Sequence, residues 1–305
     1  MIDVSLIGTG GMIPLPGRFL SSMLLRISGS MILVDCGEGT QVSMRLLGWG
    51  FKNIDIICFT HFHGDHISGL PGLLLTMANS ERTEPLVLIG PTGLEFVVKS
   101  LLVIANDLPF EILFMEWDKN KTHEYERGML SIKALPVKHR SPCFAYSFEL
   151  KRRGKFDPDR AKQLNIPLKL WGILQKLEDE NYVYNGIEYT SDMVLGPKRK
   201  GLKIVYCTDT RPVAALKDFA AFADLFVCEG LYGSFENQQK AARHMHMSFM
   251  EAAEIAKNAR VKEMWLTHFS PAMPDPKSYL QNAVDIFPES KVGKDRLTKT
   301  LKFIS

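Results

Sequence analysis

Residues 54–72 read IDIICFTHFHGDHISGLPG. The apolar run from Ile54 to Phe59 has the β-branched and aromatic character of a strand buried on both faces. It stops at Thr60 and is followed at once by His61, His63, Asp65 and His66. Gly64 is expected to permit a tight reversal here, crowding three imidazoles and one carboxylate into a small volume. Left unpaired at the end of a buried strand, those groups would be costly to desolvate. A metal ion removes the cost, because neutral imidazole and carboxylate are good ligands for zinc-type cations. The chain has eight histidines in all, so three of them within six residues beside an aspartate favour a metal cluster over a polar loop.

The rest of the composition bounds what surrounds this cluster. A chain of 305 residues, 46% hydrophobic and 23% charged, can bury a sizeable core as a globular protein. No apolar run approaches the roughly 18 residues of a membrane span. The start, MIDVSLIGTGG, enters a strand pattern with no basic leader region or cleavage site, which predicts a cytoplasmic chain. Cys36, Cys58, Cys143, Cys207 and Cys228 are far apart and form no CxxC pair, as expected of buried thiols in a reducing compartment.

Outward from the cluster, apolar runs alternate with helical patterns, the mark of a layered α/β architecture. Strands are expected at 3–8, 23–27, 31–36, 86–89, 129–137, 202–207 and 264–267, also in DLFVCE and in the closing RLTKTLKFI. Helices are expected after the cluster to about Asn79, in GPTGLEFVVKSLLVIAN and near 249–259. GTGG near the start has no Walker or GxGxxG pattern and reads as a plain turn. Asp35, ending MILVDC, has two readings: it caps the next turn, or it orients a metal-bound histidine.

Residues 151–200 differ. Between Lys151 and Lys203 there are 12 Lys/Arg against 7 Asp/Glu, so the excess positive charge of the chain lies there. The stretch opens with KRRGKFDPDRAKQLNIP and offers one helical patch, LWGILQKLEDE, and a tyrosine-rich turn, NYVYNGIEY. It shows too little periodic apolar surface for a core of its own and is expected to project as an inserted basic arm from a single domain spanning 1–305.

The later apolar runs end in metal-competent residues. Run 202–207 leads to Thr208 and Asp209, 264–267 to His268, and 130–137 to Lys138 and His139. Strand ends along one sheet edge lie close in space, so these residues are candidates to converge on the cluster. Together they supply five histidines and two aspartates, enough for two metals sharing one bridging carboxylate. Arg211, two after Asp209, is either a phosphate holder or a salt-bridge partner. His123 and His244 match no motif and read as surface residues.

THFHGDH, with a later histidine, an aspartate in a TDT turn and a final TH, resembles the metallo-β-lactamase fold superfamily. Within it the chain is similar over nearly its full length to the ribonuclease Z family of tRNA 3′-processing endonucleases. The shared segments are GTGG..P...R, HFHGDHISGLPGLL, GKFD...AKQLNIP, RKGLKIVYCTDTR, HMSF.EAA and LTHFSP. The resemblance implies a four-layer αββα sandwich with a dinuclear zinc site, two Zn²⁺ per subunit. His61, His63 and His139 would hold one zinc, Asp65, His66 and His268 the other, with Asp209 bridging. It further implies precursor tRNA as substrate, the arm as the exosite that grips the tRNA body, and a homodimer in which one subunit's arm serves the other's site.

Phosphodiester hydrolysis needs a proton acceptor for water and a donor for the leaving 3′-oxygen. Asp65 lies in the cluster, where it can both touch metal and accept the water's proton, and the resemblance implies that it is the acceptor. Ser248-Phe-Met-Glu251 is a capping box, which places His246 near the positive end of the next helix, where anionic phosphate is favoured. HMS matches the family's HST loop, and Glu229 in CEG matches the glutamate of its HEAT loop. A Glu229–His246 pair would keep the imidazole protonated. The chain departs from the family at Leu168-Lys169-Leu170 in place of the arm's GP pair, and at Phe19 after Arg18. The alternative is a broader phosphodiesterase on the same scaffold, acting on small or other nucleic-acid substrates.

Overall fold

The computed structural model describes residues 1–105, 107–177 and 181–304. The chain opens with β1 (Ile2–Gly8), β2 (Ser22–Ile27), β3 (Ser30–Val34), β4 (Ile54–Cys58), β5 (Leu86–Pro91) and β6 (Ile112–Trp117). A second series follows: β7 (His123–Arg127), β8 (Leu130–Val137), β9 (Cys143–Arg152), the short pair β10 (Tyr182–Tyr184) and β11 (Ile187–Tyr189), then β12 (Arg199–Cys207), β13 (Leu225–Glu229), β14 (Met264–Thr267) and β15 (Ser290–Val292). β16 (Thr298–Leu301) returns to the first sheet.

Two seven-stranded sheets result, in the orders β16-β1-β2-β3-β4-β5-β6 and β15-β14-β13-β12-β9-β8-β7. In each, an antiparallel part gives way to a parallel part: β3 to β6 run parallel, and so do β12 to β15. The inner parallel strands are buried and mainly apolar over β3, β4, β5, β13, β14 and the second half of β12, where both faces are covered. Ile56, Cys58 and Val34 face Phe144, Tyr146, Ile204 and Tyr206 across the middle of the molecule. On the outer side, helices 40–47, 70–78 and 94–101 cover the first sheet, and helices 214–219 and 249–258 cover the second. The αββα expectation is met. Five buried free cysteines line these layers, also as expected. Among the described residues no helix is long and apolar enough to cross a membrane.

Several expectations need correction. β9, a ten-residue strand inside the second sheet beside its central β12, lies outside every strand read from the sequence, as do β6, β7 and β15, and helix 40–47 is not among the expected helices. Gly64 makes no tight reversal: it starts a helical turn, Gly64–Ile67, with no positive φ, and a Cβ there would meet nothing. The glycine with a steric requirement is Gly69, where a Cβ would lie 2.2 Å from the Gly37 carbonyl oxygen. Helix 94–101 and its following turn reach Ile104, while Asn106 of that expected helix lies outside the described residues.

The inserted stretch does have a core. Ala161, Ile166, Leu170, Leu174, Tyr189, Val194 and Leu195 are buried together, with Phe156 and Trp171 packed on them. Ile166, Leu170 and Leu174 recur every fourth residue along and just before helix Leu168–Lys176, and the β10–β11 hairpin covers that stripe. The tail of the LWGILQKLEDE patch, Glu178 to Glu180, lies outside the described residues. Since β9 runs to Arg152 and β12 starts at Arg199, the segment that leaves the sheet is 153–198. Its two roots touch: Gly196 N–H donates to the Lys155 carbonyl at 2.8 Å.

Candidate metal centre and its surroundings

β3, β4, β8, β12, β13 and β14 all end at one edge of the sandwich, and each is followed or closed by a residue of the site: Asp35, His61, His139, Asp209, Glu229 and His268. Open parallel sheets place their binding groups at such carboxyl ends. Asp35, Asp209 and His268 take left-handed backbone angles, φ of 57°, 49° and 57°, in leaving their strands. For non-glycine residues that conformation is uncommon and clusters at functional sites.

The expected donors do converge. Asp209 Oδ2 lies 3.6 Å from His61 Nε2 and 3.7 Å from His139 Nε2, and His63 Nδ1 is 2.9 Å from His61 Nε2. The other carboxylate oxygen, Oδ1, lies 3.2 Å from both His66 Nε2 and His268 Nε2. Asp65 Oδ2 completes that side at 3.7 Å from His66 and 3.9 Å from His268. The two oxygens of Asp209 therefore face two separate groups of donors, in each of which the ligand atoms lie within 4.8 Å of one another.

Each inward nitrogen is set by what holds the other side of its ring. His66 Nδ1 is 2.8 Å from Asp35 Oδ2, the contact that the histidine-orienting reading of Asp35 requires. Asp35 Oδ1 also accepts from the Thr60 amide at 2.8 Å. His61 Nδ1 meets Thr60 Oγ1 at 3.0 Å, His268 Nδ1 meets Ser21 Oγ at 2.7 Å, and His139 Nδ1 meets the Met245 carbonyl at 3.3 Å. Such outer contacts fix tautomer and ring direction for a ligand. Asp65 is held by the Met12 amide, which donates to Oδ2 at 2.7 Å. Sequence reading missed Thr60, Ser21 and Met12. Thr60 is adjacent to the cluster, but nothing in the order of residues brings 12 or 21 to it.

The donors fit a pair of cations. His66 Nε2, His268 Nε2 and Asp209 Oδ1 are buried and make no hydrogen bond, an arrangement that is costly unless something positive satisfies it. Imidazole nitrogens with a bridging carboxylate are the donor chemistry of zinc-type ions. Although burial opposes its ionisation, the surrounding imidazoles of His268, His66 and His61 hold the Asp209 carboxyl well below the usual carboxylate range.

Beside the donors stands a second pair. Glu229, fully buried, lies 3.1 Å from His246 Nδ1 and accepts the amides of Thr210 at 2.6 Å and Met247 at 3.1 Å. Burial works against charge on His246, but the Glu229 carboxylate wins and lifts its pKa to about 9. Its ring stacks 5.6 Å from that of His268. The capping box is present, with Ser248 and Glu251 exchanging hydrogen bonds at the start of helix Phe249–Asn258. His123 stacks on Trp117 and His244 is exposed, both away from the donors.

Known proteins agree with this architecture. A family model described as anti-Pycsar protein Apyc1 matches residues 2–166. Proteins named ribonuclease Z from Lachnoclostridium phytofermentans and Clostridium acetobutylicum are each 51% identical to the chain, over 99% of it and 99% of their own length. Among solved structures, human tRNase Z, short form, shares the fold with a TM-score of 0.72 at 24% identity, covering 99% of this chain and 100% of its own. The chain thus belongs, over residues 2–166, to the family that the model describes and, over its whole length, to the ribonuclease Z family.

Proposed function

We propose that this chain is a zinc-dependent endoribonuclease that removes the 3′ trailer from precursor tRNA. The single observation that carries the reading is Asp209, whose two oxygens face one donor group each at 3.2–3.7 Å. His61, His63, His139 and Asp209 would hold one ion, and Asp65, His66 and His268 the other, which Asp209 Oδ1 also reaches through its approach to His66 and His268. Two bound divalent ions lower the pKa of a water and neutralise charge on a phosphate undergoing in-line displacement.

The remaining chemistry belongs to side chains. Asp65, anchored by the Met12 amide, accepts the proton of the attacking water. The water oxygen bonds to phosphorus as the bond from phosphorus to the 3′-oxygen breaks. His246, kept protonated by Glu229, gives its proton to that leaving oxygen. The tRNA departs with a 3′-hydroxyl and the trailer with a 5′-phosphate.

The arm supports an RNA substrate. At its root a groove of about 640 Å³ is lined by Lys151, Arg152, Arg153, Lys198, Arg199, Lys200 and Lys203 against Glu149, Asp192 and Asp224. Such a surplus of cations suits phosphate contacts, which supply affinity while structured RNA is read by shape. β12 rises about 3.3 Å per residue from the arm's root to the site, so root and site stand roughly 25 Å apart. An arm rooted that far from its own site favours a homodimer in which it serves the partner's. Buried thiols suit a cytoplasmic protein.

The test is incubation with a 3′-extended pre-tRNA, alongside metal analysis. One cut just after the discriminator base, with two zinc ions per chain, is expected. A second reading is a broader phosphodiesterase, which would use the same two donor groups without the arm. Turnover of bis(p-nitrophenyl) phosphate with no pre-tRNA cleavage would select it.

A further inference from the structure

Arg211 follows the candidate bridging aspartate by two residues, and the mechanism above leaves it without a role. We propose that Arg211 is a positioning residue that locks the loop carrying His246 to the turn carrying Asp209. Its guanidinium donates through Nη1 to the carbonyl oxygen of His246 itself and to Glu251 Oε2 at 3.1 Å, and through Nη2 to Glu251 Oε1. Its amide donates to the Lys138 carbonyl at 2.9 Å, and Lys138 N–H returns to Thr210 Oγ1 at 3.0 Å. One residue thereby joins three segments: the end of β8 before His139, the turn after β12, and the loop that leads into helix Phe249–Asn258.

The surroundings favour the clamp over the phosphate-holding role. The Arg211 side chain is 19% exposed, and both of its terminal nitrogens are engaged within the protein. A cation beside the first turn of a helix also faces the unfavourable end of the helix dipole. Here Glu251 offsets it in a forked pair, while the same carboxylate accepts the Ser248 amide at 2.9 Å and completes the capping box. The His246 ring is thus fixed twice, by Glu229 at Nδ1 and by Arg211 at its own backbone. Met245, just before it, has a left-handed φ of 67°, a conformation that relaxes unless neighbours hold it.

The consequence for catalysis rests on the proposed role of His246 as proton donor. Arg211→Ala and Arg211→Lys are compared with the wild type on pre-tRNA and on bis(p-nitrophenyl) phosphate, whose nitrophenolate leaves without a proton. In both variants kcat on pre-tRNA falls about 30- to 100-fold with KM nearly constant, and the ratio of RNA to nitrophenyl rates falls at least about 10-fold. Lysine does not rescue, since one ammonium cannot reach both Glu251 and the His246 carbonyl in the forked geometry. A rise in KM with kcat kept and rescue by lysine would instead identify a phosphate holder and overturn the clamp. Equal loss on both substrates would overturn it too, by placing the effect on the metal donors.

A readout without substrate separates this inference from the endonuclease reading. Amide exchange at Met247 and Ser248 is expected to quicken about 10-fold in Arg211→Ala, because opening of the loop becomes easier. Unchanged exchange overturns the clamp whatever the substrate. A wild type that cuts no pre-tRNA overturns the endonuclease reading and leaves exchange to decide the clamp. If Arg211→Ala fails to fold, Arg211→Lys carries the same comparisons.

Discussion

Glu229 Oε2 lies 3.1 Å from His246 Nδ1, although the two residues come from different segments, and His246 itself stands close enough to Asp209 and His268 to form a third group of possible metal donors. The carboxylate is wholly buried and the ring nearly so, so the pair acts as a charged unit in a poorly screened setting. That unit sits against the donors through the stacked His246 and His268 rings.

Replacing the carboxylate tests the pair. Glu229→Gln keeps an acceptor for only one of the Thr210 and Met247 amides, which bond different carboxylate oxygens, and removes the charge that sustains the imidazolium. The basic limb of the pH–rate profile on pre-tRNA is expected to move from about 9 toward the ordinary imidazole value of 6.5, with kcat falling on the order of 10²-fold at neutral pH. The folded pKa is raised, so the stability that the pair contributes is fully present below 6.5 and is lost as pH rises through about 9. Melting temperatures of wild type and variant should therefore converge across that window. A basic limb that stays put would refute the pairing.

Asp35 offers a separate test. Its carboxylate accepts from Thr60 and faces His66 Nδ1 at 2.8 Å. Asp35→Asn is expected to weaken metal affinity about 10- to 100-fold by loosening the ring's direction. Chelator competition on the folded variant measures this, and an unchanged affinity would show that Asp35 only closes its turn.

Two glycines of one motif should behave oppositely. Gly69→Ala drives a Cβ to 2.2 Å from the Gly37 carbonyl oxygen, a backbone atom that cannot swing aside. The loop after β3 must then shift, at a cost of about 1–3 kcal/mol. Gly64→Ala meets no atom, and in its helical turn the added methyl should leave stability equal or raise it by about 0.4–1 kcal/mol. Urea unfolding midpoints distinguish the two. Equal effects would sink the argument from close approach.

The arm can be excised cleanly. Gly154 and Gly196 are in backbone contact, a Cβ on Gly154 coming within 2.0 Å of the Gly196 oxygen, so deleting 155–195 joins neighbouring ends. Cleavage of pre-tRNA is expected to disappear while bis(p-nitrophenyl) phosphate is still turned over. Loss of both would mean that the arm supports the fold and not the RNA.

Much of this site was legible because metal donors leave a local chemical trace. His61, His63, Asp65 and His66 crowd the end of one apolar run, and Asp209, His139 and His268 each end another. The capping box at Ser248 and Glu251 was legible for the same reason, being a relation between residues three apart. β9 was not read, and the arm was denied a core that it has. Its buried cluster combines a helical stripe with Tyr189 and Leu195 from the far side of the insertion, so no single window shows it.

The order of residues by itself determined the kinds of donor, the alternation of buried strands with helices, and the presence of a basic insertion. Periodicity and ligand type are local properties, carried by residues a few positions apart. Tertiary structure alone decided that Asp209 turns one oxygen to each donor group, that the Met12 amide reaches Asp65, and that Arg211 grips His246. Those relations depend on which strands lie side by side and on how two sheets face each other, and strand order is settled by packing of the whole core, not by any stretch of it.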